Sequence, residues 1–493
     1  MSIVLETVST DHHADDDHAG ASAVTVGLPP LAVDLDGTLI LTDTLHESVV
    51  ACAKLKPGVL IEALPRGRAA FKRAVAELVD FDPALLPFNT DMLAFLQAEK
   101  QAGRRIGLFT AADQSIADAV ARHLGLFDVV RGSDGVTNLS GEAKAAAIEA
   151  AFGPRFVYAG DGSVDQPIFA RASGVILVGP VERLKGGLPG DAVIEATFPV
   201  PRAGLLVWLR ALRLRHWVKN ALVFVAPLLA LESAISLIRA AILFVLLGVL
   251  ASATYLINDL LDLGADRAHA IKRFRPLASG ALAARDATAV AAAMIVGSLL
   301  LSLTLPFGCT LILLAYLAIT LSYSLALKRL PMVDVIVLAG LFTLRVFAGN
   351  MIVSGPISSW LLTFSMLFFL GLAMIKRYAE LDRVSRLADG KGKARGYTQQ
   401  DLPILLAAGL ASGISAVVIF VVYLINEQYP RAIYGYPSAL WGIMPVLLAW
   451  TLRLWHLSVH GRMNEDPVVF ALKDRFSLAS GVVVLLILSI ARL

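Results

Sequence analysis

Residues Ile257–Gly280 read "INDLLDLGADRAHAIKRFRPLASG" and follow more than twenty largely apolar residues. Three carboxylates, Asp259, Asp262 and Asp266, arrive at the end of this membrane-grade run, and Lys272, Arg273 and Arg275 come directly behind them. On an unbroken helix the i, i+3, i+7 spacing puts all three acids on one face. Each charge near the bilayer centre costs roughly 2.5–3.5 kcal/mol on insertion scales, so three like charges need compensation. A cation supplies it, and hard oxygen ligands without His or Cys favour Mg²⁺. Magnesium held by carboxylates commonly shares its shell with a phosphate, whose remaining oxygens the trailing bases would cover. The stretch therefore reads as a Mg²⁺–diphosphate site at the cytosolic mouth of a membrane cavity. A topogenic acid–base loop that merely ends a span is the plainer alternative.

A second stretch has the same design. "YSLALKRLPMVDVIVLAGLFTLRVFAGN" runs from Tyr323 to Asn350, with Asp334 opening an apolar run beside Lys328 and Arg329. Arg345 lies eleven residues on, close to three helical turns, and so shares the face of Asp334 about 16 Å deeper. An arginine inside a membrane needs an anion or a cavity, and a buried carbonyl or carboxylate would also serve.

The 493 residues allow two or three domains. Mean hydropathy of +0.69 is too high for an ordinary soluble protein, and the apolarity is concentrated after residue 217. A net charge of +3 gives no reason to expect a nucleic-acid partner. The start of the chain lacks a basic segment followed by an apolar core, so no signal peptide is expected. Residues 1–28 read as a disordered polar tail, although His12, His13 and His18 among aspartates offer a metal-binding alternative. Cys52 and Cys309 are the only cysteines and fall in different halves, which suits a cytosolic first domain without disulfides.

Nine spans are expected, at about 217–233, 236–257, 284–305, 308–327, 333–353, 357–376, 402–425, 436–457 and 475–492. The first is interrupted by Pro227. Even-numbered connections carry Arg267, Lys272, Arg273, Arg275, Lys328, Arg329, Lys376, Arg377, Lys391, Lys393 and Arg395, while odd ones are nearly free of Lys and Arg. The basic side faces the cytoplasm, which puts the N-terminal domain in the cytosol and the C-terminus outside the plasma (inner) membrane. Ahead of the first span, "GLLVWLRALRLRHWVKN" (Gly204–Asn220) suits a helix lying in the membrane interface, with a plain linker as the alternative.

"NDLLDLGADRAHAIKRFRPLASG" resembles the first aspartate motif of the UbiA superfamily of intramembrane prenyltransferases, and Asp334 lies where that family's second acidic motif is expected. The resemblance covers roughly residues 205–493. It implies an all-α bundle of nine helices around a cavity, a diphosphate held by Mg²⁺, and Asp259, Asp262, Asp266 and Asp334 as metal ligands. "LRHWVKNALVFVAPL", "LKRLPMVDV", "LRVFAGN", "KRYAEL", "ARGYT" and "NEDPVVFALKDR" together resemble one branch, the decaprenyl-phosphate phosphoribosyltransferases. That branch implies phosphoribosyl pyrophosphate as donor and a polyprenyl phosphate lipid as acceptor. Asp259 and Asp262 then serve the chemistry, and Lys219, Asn258, Lys272, Arg275, Tyr323, Lys328, Arg345, Lys376 and Arg377 are candidate substrate ligands. For Lys391, Lys393 and Arg395 a solvated positive-inside loop is the better reading. An aromatic prenyltransferase using a prenyl diphosphate is the first rival. A membrane-anchored regulatory protein and a transporter are more distant ones.

The first domain carries its own signals. "LAVDLDGTLILTD" (Leu31–Asp43) is an apolar strand running into Asp34 and Asp36, whose side chains project from one side of the strand end. "RIGLFTAAD" reads as a strand ending in Thr110, "NLSGEAKAAAI" contains Lys144, and "FVYAGDGSVDQPIF" is a strand ending in Asp161 with Asp165 four residues on. This ordered set resembles the haloacid dehalogenase-like (HAD) superfamily, with its motifs across about residues 29–182. The resemblance implies a Rossmann-like α/β domain over 29–200 with a small helical cap from about 45 to 97, joined by 201–216 to the membrane domain 217–493. Asp34 would be the nucleophile and Asp36 the acid–base. Thr110 and Lys144 would hold the phosphoryl group, and Asp34, Asp36, Asp161 and Asp165 would surround Mg²⁺. Fusion logic adds that this phosphatase removes the 5-phosphate of the lipid product; a HAD fold kept only as scaffold is the alternative.

Overall fold

The computed structural model describes residues 28–493, except 80, 202, 231, 354–355, 388–395, 432–433 and 464–465. The expected tail with His12, His13 and His18, and the basic run Lys391, Lys393 and Arg395, lie outside the described residues.

Six strands build the N-terminal sheet: β1 (Leu31–Val33), β2 (Ile106–Asp113), β3 (Val129–Ser133), β4 (Val157–Gly160), β5 (Gly174–Gly179) and β6 (Ile194–Pro199). All neighbours are parallel, in the order β3-β2-β1-β4-β5-β6. Strand alternation divides the core in two: Leu31 and Val33 join Met92, Leu96 and Leu108 on one face, while Ala32 joins Phe109, Ile148 and Tyr158 on the other. Burial on both faces explains the almost unbroken apolar runs of β1 and β5. The strand order reverses between β1 and β4, where doubly wound sheets leave a crevice at their carboxyl ends. Asp34 follows β1 and Asp161 follows β4, so topology alone brings them together.

The insert between β1 and β2 contains α1 (Thr44–Leu55), a short helix Pro57–Ala63 and α2 (Arg68–Ala76). It is shorter than the expected 45–97, because Thr90–Gln101 buries Met92 and Leu96 in the sheet's own core.

The linker helix α3 (Leu205–Leu212) leaves Leu205 and Leu206 exposed and ends at Arg213 in a left-handed conformation. Among the described residues, eight helices are long and apolar enough to cross a membrane. They are α4 (Ala234–Leu261), α5 (Ala284–Ser302), α6 (Phe307–Leu325), α7 (Val333–Asn350), α8 (Ser359–Leu387), α9 (Leu402–Tyr423), α10 (Ile443–Val459) and α11 (Arg475–Arg492).

The expected span at 217–233 is built differently. Residues Leu214–Phe224 form a long 3₁₀ helix, and Val225–Leu229 add one short α-helix. The tighter pitch has a visible cause. Trp217 Nε1 donates to Ser252 Oγ at 2.9 Å, Asn220 Oδ1 accepts from Arg345 Nε at 2.9 Å, and the Val223 carbonyl lies against Gly349. These anchors recur every third residue, the period that three residues per turn puts in one line. A Cβ on Gly349 would come within 2.1 Å of the Val223 carbonyl, so only glycine admits this approach. Helices α8 and α9 pack backbone to backbone across Gly371, Gly409 and Gly413, as small residues permit between membrane helices. Helix α8 also continues well past residue 376, so Lys376 and Arg377 sit inside a helix rather than in a connecting loop.

Candidate active sites

The membrane-domain cavity has a volume of about 350 Å³. Among the expected residues, Lys219, Asn258, Asp262, Asp266, Lys272, Arg275, Tyr323, Lys328, Arg345 and Lys376 line it. Asp259, Asp334 and Arg377 do not.

The three aspartates of the opening motif do not form one row. Helix α4 stops at Leu261, Asp262 is its non-helical cap, and a short helix Leu263–Ala268 restarts in a new direction. Asp259 and Asp266 therefore converge on Arg275, whose Nη1 lies 3.1 Å and 2.6 Å from them. Arg213 Nη2 also holds Asp259, at 2.5 Å and 2.8 Å. Asp262 pairs instead with Lys328 at 2.7 Å and with Lys54 of the N-terminal domain at 2.9 Å. The three carboxylates are thus held by five ion pairs, from Arg213, Arg275, Lys328 and Lys54.

Asp334 departs further from expectation. It is fully buried, with Arg377 Nη2 at 2.5 Å from Oδ2 and the Tyr397 hydroxyl donating to Oδ1 at 2.5 Å. Tyr397 Oη accepts in turn from the backbone N–H of Met332, at 2.6 Å, a non-glycine residue with φ of 65°. Arg377, 1% exposed, also pairs with Glu380. The second acidic motif here closes a buried turn, and neither Asp334 nor Arg377 lines the cavity.

Arg345 does line the cavity. Its guanidinium reaches Asn220 Oδ1, the Leu341 carbonyl at 2.5 Å and Tyr316 Oη at 3.1 Å, none of them charged. Lys219 and Lys376 share Asp466 Oδ2, at 2.9 Å and 2.8 Å. Burial works to raise the Asp466 carboxyl, but Lys376 and Lys219 hold it well below the usual carboxylate range. Asp466 was not among the expected residues, nor were His216, Tyr255 and Tyr316, which also line the cavity. Seven Lys and Arg side chains face three carboxylates there, a surplus of four positive charges. His216 Nδ1, Asn220 Nδ2 and Thr320 Oγ1 are buried without a hydrogen-bond partner. A chamber with excess cations and free polar groups fits a multiply charged anion. Asp262 and Asp266 at its edge fit a cation carried with that anion.

The sheet carries a second constellation. Asp34, Asp161 and Asp165 each offer an oxygen within 4.8 Å of the others. Lys144 Nζ lies 2.8 Å from Asp34 and 3.4 Å from Asp165, and Tyr158 Oη donates to Asp165 at 2.9 Å. Burial pushes the Asp34 carboxyl up to about 6, against the pull of Lys144, and lifts Asp161 to about 7 with help from Asp34. Buried carboxylates that resist ionisation side by side are the donor set a divalent cation relieves. Gly37, at φ 74°, makes the approach possible: a Cβ there would lie 2.1 Å from Asp161.

Asp36 does not join this triad. It accepts instead from the Thr44 N–H at 2.7 Å and hydroxyl at 3.1 Å, at the start of α1. Burial first, then Asp43, pushes it up to about 8, which favours its protonated form. Thr110 is buried within β2, which runs on to Asp113, and its hydroxyl accepts from the Ala112 N–H. Lys72, in the cap helix α2, donates to Ala111 O and Asn138 Oδ1 at 2.6 Å each, a position the sequence showed only as general basicity.

Residues 221–479 match the UbiA prenyltransferase family, and residues 58–170 match the haloacid dehalogenase-like hydrolases, a segment that begins after Asp34 and Asp36. The chain is 37% identical to the protein y4nM of Sinorhizobium fredii over 91% of this chain and 88% of that one. It is 30% identical to the decaprenyl-phosphate phosphoribosyltransferase of Mycolicibacterium smegmatis, over 54% of this chain and 86% of that one. The nodulation protein NoeC of Azorhizobium caulinodans is also 30% identical, over 55% and 89%. A solved UbiA homologue from Archaeoglobus fulgidus bound to DMAPP and Mg²⁺ is 17% identical with a TM-score of 0.43, over 58% of this chain and 98% of that one.

Proposed function

We propose that this chain, which belongs to the UbiA prenyltransferase family, transfers a 5-phosphoribosyl group from phosphoribosyl pyrophosphate to a polyprenyl phosphate. The observation that carries the reading is the surplus of four positive charges in the membrane cavity. A prenyl diphosphate carries about −3 and, with one Mg²⁺, leaves about −1. Phosphoribosyl pyrophosphate carries about −5 and leaves about −3, the better match to that surplus. The similarity to a protein named decaprenyl-phosphate phosphoribosyltransferase supports the same choice.

In this reading an oxygen of the lipid phosphate bonds to the ribose anomeric carbon as that carbon's bond to pyrophosphate breaks. Mg²⁺, held by Asp262 and Asp266, would neutralise charge on the leaving group. Lys272, Arg275 and Lys328 bind its outer oxygens, and Lys219, Lys376 and Arg345 hold the 5-phosphate. The acceptor phosphate is already anionic and needs no base. Its entry is supported by a neighbouring pocket of about 560 Å³, where Arg210, Arg213 and Arg215 lie among Leu206, Leu209, Ile271 and Phe274. Basic heads within an apolar rim suit a lipid phosphate at the membrane surface.

The soluble half is proposed as a phosphatase with Asp34 as nucleophile and Asp36 as the proton donor to the leaving oxygen. Lys144 and Thr110 grip the phosphoryl group, and Asp34, Asp161 and Asp165 hold Mg²⁺. Its substrate is proposed to be the 5-phosphate of the transferase product. The topology reading keeps nine crossings, a cytosolic N-terminal domain and an outer C-terminus. Eleven residues at a 3₁₀ rise and five at an α rise reach ~30 Å, the thickness of the hydrocarbon core. That segment starts near Arg213, beside Asp259, and ends where Tyr434 donates to the Leu229 carbonyl.

The test uses purified full-length protein in detergent with Mg²⁺, polyprenyl phosphate and phosphoribosyl pyrophosphate, and weighs the lipid product by mass spectrometry. A ribosyl lipid from the wild type and a phosphoribosyl lipid from Asp34→Asn establish both steps in order. Phosphoribosyl lipid from both detaches the phosphatase. No lipid product from folded protein rejects the transferase assignment and turns the search to prenyl diphosphates.

A further inference from the structure

The two halves meet through α1, and its last turn reaches the membrane site. Lys54 Nζ lies 2.7 Å from the carbonyl of Leu261, the final residue of α4, and 2.9 Å from Asp262 Oδ1. A lysine is well matched to a helix carboxyl end, where carbonyls lack partners and the dipole is negative. The rest of α1 fixes the approach. Glu47 receives both arms of Arg267, at 2.6 Å and 2.8 Å, and the two side chains are only 10% and 6% exposed. His46 Nε2 lies 3.0 Å from Thr288 Oγ1. Leu41, just upstream, lies against Gly280. Lys54 is therefore delivered by a fixed dock and not by a swinging surface chain.

The two oxygens of Asp262 have different surroundings. Oδ2 meets Lys328, which lines the membrane cavity, while Oδ1 meets Lys54, which lines a separate cavity of about 380 Å³ between the two halves. Asp262 borders both cavities. We propose that Lys54 is a positioning residue for the transferase: from the soluble domain it holds Asp262 Oδ1, and so keeps Oδ2 turned into the cavity for a cation–diphosphate ligand. This rests on the diphosphate reading above. When the ligand arrives, Lys328 passes from Oδ2 to a phosphate oxygen and Lys54 stays in place. The soluble domain then completes the membrane site independently of its own chemistry. Partners that orient a metal-binding carboxylate in this way typically set metal affinity by ~10- to 100-fold.

Binding of inorganic pyrophosphate to full-length protein in detergent, titrated by calorimetry across a Mg²⁺ series, tests this without turnover. Wild type, Lys54→Met, Lys54→Arg and Asp262→Asn are compared, with the melting temperature of each unliganded protein as the fold control. Lys54→Met is expected to raise the Mg²⁺ concentration for half-maximal binding ~10-fold or more. Lys54→Arg is expected to restore most of the loss, and melting is expected to stay near wild type because Lys328 still pairs Asp262. Equal or lower Mg²⁺ requirement in Lys54→Met overturns the proposal and leaves the diphosphate reading standing. No pyrophosphate binding by the wild type at any Mg²⁺ concentration overturns both.

Discussion

Removing Arg377 separates a structural role from a substrate-binding one. Asp334 is fully buried and Arg377 1% exposed, with 2.5 Å between their charged atoms. Breaking such a pair by deleting one partner leaves an uncompensated charge and costs about 3–5 kcal/mol, whereas replacing both with neutral groups of similar size is close to neutral. Arg377→Met should therefore lower the folded-to-unfolded ratio by roughly 10²- to 10⁴-fold. Asp334→Asn in the same chain should recover most of that. An asparagine oxygen still accepts from Tyr397, and methionine occupies the channel of the arginine stem. Glu380 is about 29% exposed and can turn to water when it loses Arg377. Thermal unfolding of the two single variants and the double variant in detergent measures the coupling, and donor KM is measured on whatever folds. A double variant that folds near wild type with unchanged KM is the expected result. An Arg377→Met protein that melts like wild type yet binds donor tenfold worse refutes the reasoning and returns Arg377 to the substrate.

In the acidic site of the sheet, burial raises Asp34, Asp161 and Asp36 to about 6, 7 and 8 from 3.8. The folded chain thus keeps protons that the unfolded chain releases, so without metal its stability falls as pH rises from about 4 towards 8. Mg²⁺ relieves that cost, and its upward shift of the soluble domain's melting temperature should be larger at pH 8 than at pH 5; an equal shift at both would count against the triad as a cation site. Lys219→Met or Lys376→Met should raise donor KM about tenfold with little change in melting, because Asp466 retains the other lysine; unchanged KM in steady-state kinetics would remove Asp466 and its lysines from the donor site. Gly37→Ala puts a Cβ 2.1 Å from Asp161 at a φ of 74°; it should stop phosphate release while lipid transfer continues, seen as phosphoribosyl lipid by mass spectrometry, and normal ribosyl lipid would contradict the placement of Asp161.

What the sequence made legible follows from how local each signal is. The carboxylates after β1 and β4 were readable because a parallel sheet brings strand ends together whatever lies between them. The cations of the membrane cavity were readable because few reasons exist to bury Arg345 or Lys219. Helical spacing failed at Asp262, where one interrupted turn pairs the second aspartate with Lys328 and Lys54 while the first and third meet at Arg275. Hydropathy likewise cannot report pitch: the 3₁₀ course of Leu214–Phe224 is set by Ser252, Arg345 and Gly349, all distant in sequence. The same distance hid Asp466 and Lys54. Asp466 lay within a motif already quoted, but its partners Lys219 and Lys376 are 247 and 90 residues away. Nothing local marks Lys54 as a lysine that meets Asp262 some 208 residues later. A fused domain can therefore alter a membrane site through one residue that carries no motif. The fusion is better tested by that residue's effect on the membrane site than by deleting the domain, because deletion would also strip Glu47 from Arg267 and uncover the whole docking face.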